Sequence, residues 1–230
     1  MAGDSRRVYG RRAGRRLRPG RQALLDELLP KLRLEPPTSG WLEPAQLFPR
    51  AVDDLWVEIG FGGGEHLAWQ AAHHPQIGFI GAEPFVNGVA RLLGHVAERQ
   101  LDNVRIVDDD VRPVLDALPD ACVGRLFVLF PDPWPKRRHH RRRIVGPETL
   151  DGLARILKDG AELRAASDDA GYVAWMLRHV RGHADFEWTA RRPGDWRRRP
   201  DDWPPTRYEA KAQAAGRPPT YLCFRRRPRG

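Results

Sequence analysis

Between residues 54 and 181, short apolar runs alternate with segments of helical spacing. DLWVEIG leads into GEHLAWQAAHH, and IGFIGAE into VNGVARLLGHVAERQ, whose apolar positions 86, 89, 92, 93 and 96 share one helical face. NVRIVDDD, RPVLDAL, RLFVLF, GPETLDGLARILKDG, AELRAASDD and GYVAWMLRHV continue the series. In the fourth helical segment Pro147 is placed as the first helical residue and Gly160 just past the end. Parallel strands need a long crossover, and each amphipathic helix must bury its apolar stripe against the sheet. The pattern therefore predicts an α/β fold with an open, mostly parallel sheet and helices on both faces.

The flanking segments differ in character. Residues 1–22 are rich in arginine and glycine with almost no apolar content, which predicts a basic, flexible N-terminal arm. Leu24, Leu25, Leu28 and Leu29 predict a helix near 22–33, and LEPPTSGW a loop. From about residue 184, FEWTARR and TYLCFRR have the composition of strands, separated by a loop crowded with Arg, Trp and Pro at 191–205. No internal repeat is present, and residues 23–230 are expected to form a single domain.

Composition narrows the partners. The 230 residues carry a formal net charge of +9, with a pI near 10.3, a balance that favours a polyanionic partner. Cys122 and Cys223 are the two cysteines, too few for a disulfide framework, and no histidine pair has a metal-ligand spacing. A reducing, cytoplasmic setting without a metal is expected. No apolar run approaches the roughly 20 residues of a membrane span, and the basic N-terminus lacks a signal-peptide core.

The first strand ends in VEIGFGGGEHL, where Gly60, Gly62 and Gly64 stand between strand and helix. A parallel sheet admits ligands there, and glycine permits the tight turn and close approach of a bound group. Glu65 occupies the place of a dinucleotide fingerprint's third glycine. An acid there disfavours a pyrophosphate but suits a cofactor with an ammonium and a sulfonium. Glu58 precedes the turn, Glu83 closes the second strand at a ribose-binding position, and Asp110 ends VDDD. Asp110 is read either as a contact to an adenine amino group or as the N-cap of the next helix. Acids closing consecutive strands fit S-adenosylmethionine better than NAD.

The fourth strand delivers FPDPWPKRRHHRRR to the same edge. Pro131 and Pro133 each fix their own φ and restrict the preceding residue, so Asp132 is held with little freedom. Such a carboxylate can orient a planar base, offset developing positive charge or take a proton. Trp134 offers an aromatic face or fills core. Lys136, Arg137, Arg138, Arg141, Arg142 and Arg143 form a cationic strip suited to nucleic-acid phosphates.

VEIGFGGGEHL, GAEPF, VRIVDDDVRPVLDAL, VLFPDPWPKRRHHRRRIV, AASDDAGY and TRYEAKAQAAG resemble, in order and spacing, the bacterial tRNA (guanine-N7-)-methyltransferases over about residues 5–228. The resemblance implies a Rossmann-like class I fold with a seven-stranded sheet and an antiparallel C-terminal strand. It implies methyl transfer from S-adenosylmethionine to N7 of a variable-loop guanine in tRNA, by a monomer or homodimer. Glu58, Gly60, Gly62, Gly64, Glu83, Asp110 and Asp132 would bind the cofactor, with Asp132 catalytic. Lys136, Asp168, Thr206, Arg207, Tyr208 and Glu209 would contact substrate. Pro84, Phe85, Ser167 and the 191–205 loop depart from the family pattern. The rival readings are a methyltransferase acting on another RNA or a protein, and a non-catalytic RNA-binding protein.

Overall fold

The computed structural model describes residues 11–230. The strands are β1 (Asp54–Ile59), β2 (Ile77–Ala82), β3 (Val104–Val107), β4 (Val123–Leu129), β5 (Leu157–Ser167), β6 (Phe186–Trp188) and β7 (Thr220–Arg226). The α-helices are α1 (Pro19–Glu27), α2 (Leu29–Leu32), α3 (Glu65–His73), α4 (Val86–Arg99) and α5 (Arg112–Ala117). They continue with α6 (Leu150–Ile156), α7 (Ala170–Arg181), α8 (Gly194–Arg197) and α9 (Arg207–Ala214), and a 3-10 helix spans Arg137–Arg142.

All seven strands join one sheet in the order β3-β2-β1-β4-β5-β7-β6. The run from β3 to β5 is parallel, and β7 inserts antiparallel between β5 and β6. Every position of β2 is buried, as continuous apolar strands in a doubly covered parallel sheet require. Two core clusters result. One gathers Val57, Ile80, Leu126, Leu163, Tyr172 and Phe224; the other gathers Leu67, Phe79, Leu92, Ile106 and Phe127. The chain leaves β1 toward β2 and β3, then crosses back to β4 on the other side. That reversal opens a crevice beyond the carboxyl ends of β1 and β4.

Boundaries depart from the sequence reading in three places. The first helix begins at Pro19, with Pro at its first position, and breaks at Leu28 before α2. Val86 starts α4 but stays exposed, while Val89, Leu92, Leu93 and Val96 are buried. The segment after Pro147 is corrected most. α6 begins only at Leu150, because the Thr149 hydroxyl donates back to the carbonyls of Ile144 and Gly146 and closes a turn there. The helix ends at Ile156, and Gly160, at φ +79°, lies inside β5, where the pairing with β4 shifts register.

Candidate active site

The turn after β1 is built on left-handed backbone. Gly60, Gly62 and Gly64 have φ of +78°, +58° and +78°. A side chain on Gly62 would also collide with Tyr208, and one on Gly88, in the first turn of α4, would meet the Gly62 carbonyl at 2.1 Å. The turn is thus pressed between α4 and the start of α9. Glu83 fixes it from the neighbouring strand end: Oε2 accepts from Gly62 N–H at 2.8 Å and Oε1 from Phe85 N–H at 3.0 Å. Each oxygen keeps a lone pair for a hydroxyl. Burial raises the Glu83 carboxyl above the ordinary range, the two N–H donors oppose that rise, and nearby Asp132 adds to it.

Asp132 stands on the opposite wall. Its two flanks are strained, with Phe130 at φ +52° and Trp134 at +45°, both uncommon for bulky residues. Asp132 is exposed, and among the described residues its carboxylate has no hydrogen bond or ion pair. A cavity of about 390 Å³ brings Gly60, Gly62, Glu83, Asp132, Trp134 and Tyr208 together. An adjoining cavity of about 160 Å³ adds Asp110, Arg112 and Asp109. Asp110 accepts from the Arg112 N–H at 3.0 Å and pairs with its guanidinium at 2.6 Å; Val111, not Asp110, occupies the cap position of α5.

The other predicted residues divide. Glu58 borders a narrow cleft between the glycine turn, Thr206 and Tyr208, yet it is almost fully buried and bonded to His66 Nδ1 at 2.7 Å. Thr206 caps α9 by accepting from Glu209 N–H, and Arg207 faces Glu65 at 3.4 Å. Glu209 is buried, its Oε1 accepting from Tyr221 at 2.7 Å and Arg199 at 3.1 Å. It braces the turn that carries Tyr208. Asp168 pairs with Arg217 at 2.8 Å, and Lys136 is exposed at the head of the 3-10 helix.

Two sets of long-range contacts around the site carried no local sequence signal. Arg164, in the middle of β5, is buried and pairs with Glu162 at 2.7 Å and Asp202 at 2.8 Å. Arg125 joins them at 3.2 Å from Asp202 and stacks over Trp56. Asp202 thereby fastens the 191–205 loop, whose Arg199 reaches Glu209. The second set is the arm. Arg12 accepts through its carbonyl from Val86 N–H at 2.9 Å and pairs with Asp109 at 2.7 Å. Asn87 binds Gly14 N–H at 2.6 Å and the Arg15 carbonyl at 2.7 Å. Residues 11–15 therefore run along the entrance to α4, and Arg11 lines the larger cavity. Residues 1–10 of the expected flexible arm lie outside the described residues.

A family model described as "Putative methyltransferase" matches residues 53–222. The tRNA (guanine-N(7)-)-methyltransferase of Rhodospirillum rubrum is 60% identical, over 98% of this chain and 90% of that protein. The Paramagnetospirillum magneticum protein of the same name is 53% identical, over 99% and 96%. The chain belongs to the tRNA (guanine-N7-)-methyltransferase family. Among solved structures, the 16S rRNA methyltransferase KamB superposes with a TM-score of 0.53 at 18% identity, covering 77% of this chain and 89% of that one. An rRNA methylase from Streptococcus thermophilus gives the same TM-score at 13% identity, covering 80% and 92%. These likenesses establish the Rossmann-like class I methyltransferase fold, including the seven-stranded sheet expected from the family pattern. Family and fold imply S-adenosylmethionine as methyl donor. The site fits it: side-chain-free backbone at Gly60 and Gly62, a half-buried acid at Glu83 with open lone pairs, and no phosphate-binding residue at Glu65. Among the described residues, no helix is long and apolar enough to cross a membrane.

Proposed function

We propose that this chain methylates N7 of a guanine in tRNA, the variable-loop guanine of the family pattern. The observation that carries the reading is the opposition of Asp132 and Glu83 across one cavity, with the glycine turn as its floor. S-adenosylmethionine supplies an electrophilic methyl on a sulfonium. Glu83 accepts the ribose hydroxyls with the lone pairs left by Gly62 and Phe85. Asp110 and the smaller cavity take the adenine end, and Glu58 borders the amino-acid end. Lys136, Thr206, Arg207 and Tyr208 meet the RNA, with Asp168 and Glu209 holding that rim through Arg217 and Arg199.

Guanine N7 has an in-plane lone pair and no proton, so attack needs no general base. Its alkylation makes the ring cationic. Asp132 therefore serves by accepting from the N1–H and N2–H edge of guanine and by offsetting the growing charge. Trp134, beside it, supplies an aromatic wall for the base, worth about 1–3 kcal/mol when stacked. The reaction belongs in the cytoplasm, with a monomer or homodimer as the acting species. Nucleoside analysis of unmodified tRNA after incubation with the protein and S-adenosylmethionine tests the reading. 7-Methylguanosine is the expected product; methyl groups on another base, on protein or nowhere would overturn it.

A further inference from the structure

The acids around the methyl-transfer site are held in different ways. Glu83 accepts from two backbone N–H groups, and Asp110 is paired with the Arg112 guanidinium. Glu58 has neither kind of partner. Among the described residues its one side-chain hydrogen bond is to His66 Nδ1 at 2.7 Å, and no lysine or arginine nitrogen lies within 4.0 Å of its oxygens. A carboxylate that is only 2% exposed is costly to leave without a cation. A neutral donor orients such a group but does not cancel its charge, so the missing cation is expected from outside the chain.

His66 is fixed as that neutral donor from three sides. Glu58 shares the α3-covered face of β1 with Trp56, because alternate strand residues point the same way. The His66 ring lies 4.7 Å from Phe127, the partner of Glu58 on β4, and 6.1 Å from Trp203, edge-on to both. Gln70, one turn further along α3, brings its amide nitrogen within 3.2 Å of Nε2 and 2.8 Å of the Asp202 carbonyl. A nitrogen that donates to that carbonyl donates to Nε2 as well, which leaves the imidazole neutral with its proton on Nδ1. The 191–205 loop thus sets the tautomer of a side chain on α3. The cleft that Glu58 borders suits a cation: Glu58, Glu65, Thr206 and Tyr208 line it, and no lysine or arginine does. Glu65 already has Arg207 at 3.4 Å, so Glu58 is the acid left unpaired. The cleft holds about 10 Å³, close to the room one water-sized group such as an ammonium needs.

We propose that His66 is a positioning residue of the cofactor site: its Nδ1–H fixes the Glu58 carboxylate, with its charge intact, for the ammonium at the amino-acid end of S-adenosylmethionine. The proposal rests on the reading that places Glu58 at that end of the cofactor. Its consequence is that recognition of the amino-acid end depends on a chain of bonds reaching through Gln70 to Asp202, on the far side of α3.

Two ligands with the same adenosine half separate this role from a purely structural one. S-Adenosylhomocysteine carries the amino-acid chain, whereas 5′-methylthioadenosine ends in a methyl group on the same sulfur. Calorimetry with each ligand on the full chain tests the proposal, using wild type, His66→Ala, His66→Leu, His66→Asn and Glu58→Gln. His66→Ala empties the position and His66→Leu fills it without a donor. Both should bind S-adenosylhomocysteine roughly 10–100-fold more weakly, the effect of one hydrogen bond to a charged group, and 5′-methylthioadenosine with wild-type affinity. His66→Asn, whose amide nitrogen takes the place of Nδ1, should recover most of that loss, and Glu58→Gln should show the same selective loss. Equal weakening of both ligands in His66→Ala and His66→Leu, or wild-type binding of both, would overturn the role of His66 alone. Wild-type affinity of Glu58→Gln for both ligands would overturn the placement of Glu58 and the proposal with it. Wild-type protein that binds neither ligand would overturn the cofactor reading itself.

Discussion

The carboxylate of Glu58 and Nδ1 of His66 lie 2.7 Å apart, each residue 2% exposed. The surrounding bonds settle the direction of the pair. Gln70 Nε2 lies 2.8 Å from the Asp202 carbonyl, which can only accept, so the amide nitrogen must face it. That same nitrogen lies 3.2 Å from His66 Nε2 and donates to it as well. Nδ1 therefore carries the proton and donates to Glu58. One continuous chain of bonds runs from the end of β1 through α3 to the loop that braces α9.

His66→Ala leaves Glu58 buried without its donor. Breaking a buried pair from one side costs about 3–5 kcal/mol. For a chain of this size that lowers Tm by roughly 6–20 °C, at about 2–4 °C per kcal/mol. His66→Gln, whose amide can still donate, should lose less. Thermal unfolding measures both, and equal Tm values for wild type and His66→Ala would show that the pair contributes nothing.

Glu83 predicts a pH dependence with opposite signs for folding and for binding. Its carboxyl is raised, chiefly by burial, so the native state holds a proton more tightly than the unfolded chain does. Its contribution to stability is fully present at low pH and declines as pH rises from the ordinary carboxylate range through the raised value. If Glu83 accepts the ribose hydroxyls as proposed, binding uses the ionised form, and affinity for S-adenosylmethionine should fall as pH drops through that same raised value. Calorimetry across mildly acidic pH measures this. Glu83→Gln should bind roughly 10–100-fold more weakly, the worth of hydrogen bonds to a charged acceptor, and should lack this acidic step.

Much of the fold was legible because its signals are local. The periods of β1 to β5, the glycines after β1 and the prolines around Asp132 each act within a few residues. The misreadings have physical causes of the same kind. Pro147 satisfies the rules for a helix start, but Thr149 ties its hydroxyl back to Ile144 and delays α6 to Leu150. Gly160 reads equally as a helix terminator and as a left-handed residue inside an irregular strand. The residues missed at the site depend on partners far along the chain. Arg164 meets Asp202 across 38 positions and Arg12 meets Asp109 across 97, so neither pairing leaves a trace in either local segment. The strain at Phe130 and Trp134 was likewise invisible, since nothing in their side chains calls for positive φ.

That strain bears on Asp132→Asn. The amide has nearly the same shape, so the loop and cofactor affinity should be preserved while the negative charge is lost. If Asp132 offsets charge on the alkylated ring, single-turnover methylation should fall about 10²-fold or more, comparable to removing one preorganised electrostatic group. The loss should persist across neutral and alkaline pH, because no proton is being abstracted. A rate near wild type, or a rate that recovers steeply with pH, would refute the role assigned to Asp132.

The arm offers the clearest separation of cofactor from RNA effects. Arg12 is more than half exposed, and its pair with Asp109 at 2.7 Å is worth little by itself. Its backbone bond to Val86 and the two bonds from Asn87 hold the segment beside Glu83 and the smaller cavity. Asn87→Ala removes both side-chain bonds without changing charge. If residues 11–15 help close the cofactor site, this variant should weaken S-adenosylmethionine binding several-fold, at about 0.5–1.5 kcal/mol per neutral hydrogen bond. Its salt slope for tRNA should match that of wild type, since no cation is lost. Arg12→Ala should do the reverse, lowering that slope by up to about 0.9 if the guanidinium exchanges Asp109 for a phosphate. Calorimetry and salt-dependent tRNA binding on the two variants therefore distinguish an arm that closes over the cofactor from one that only attracts RNA: unchanged cofactor affinity in Asn87→Ala removes the first role, and an unchanged slope in Arg12→Ala removes the second.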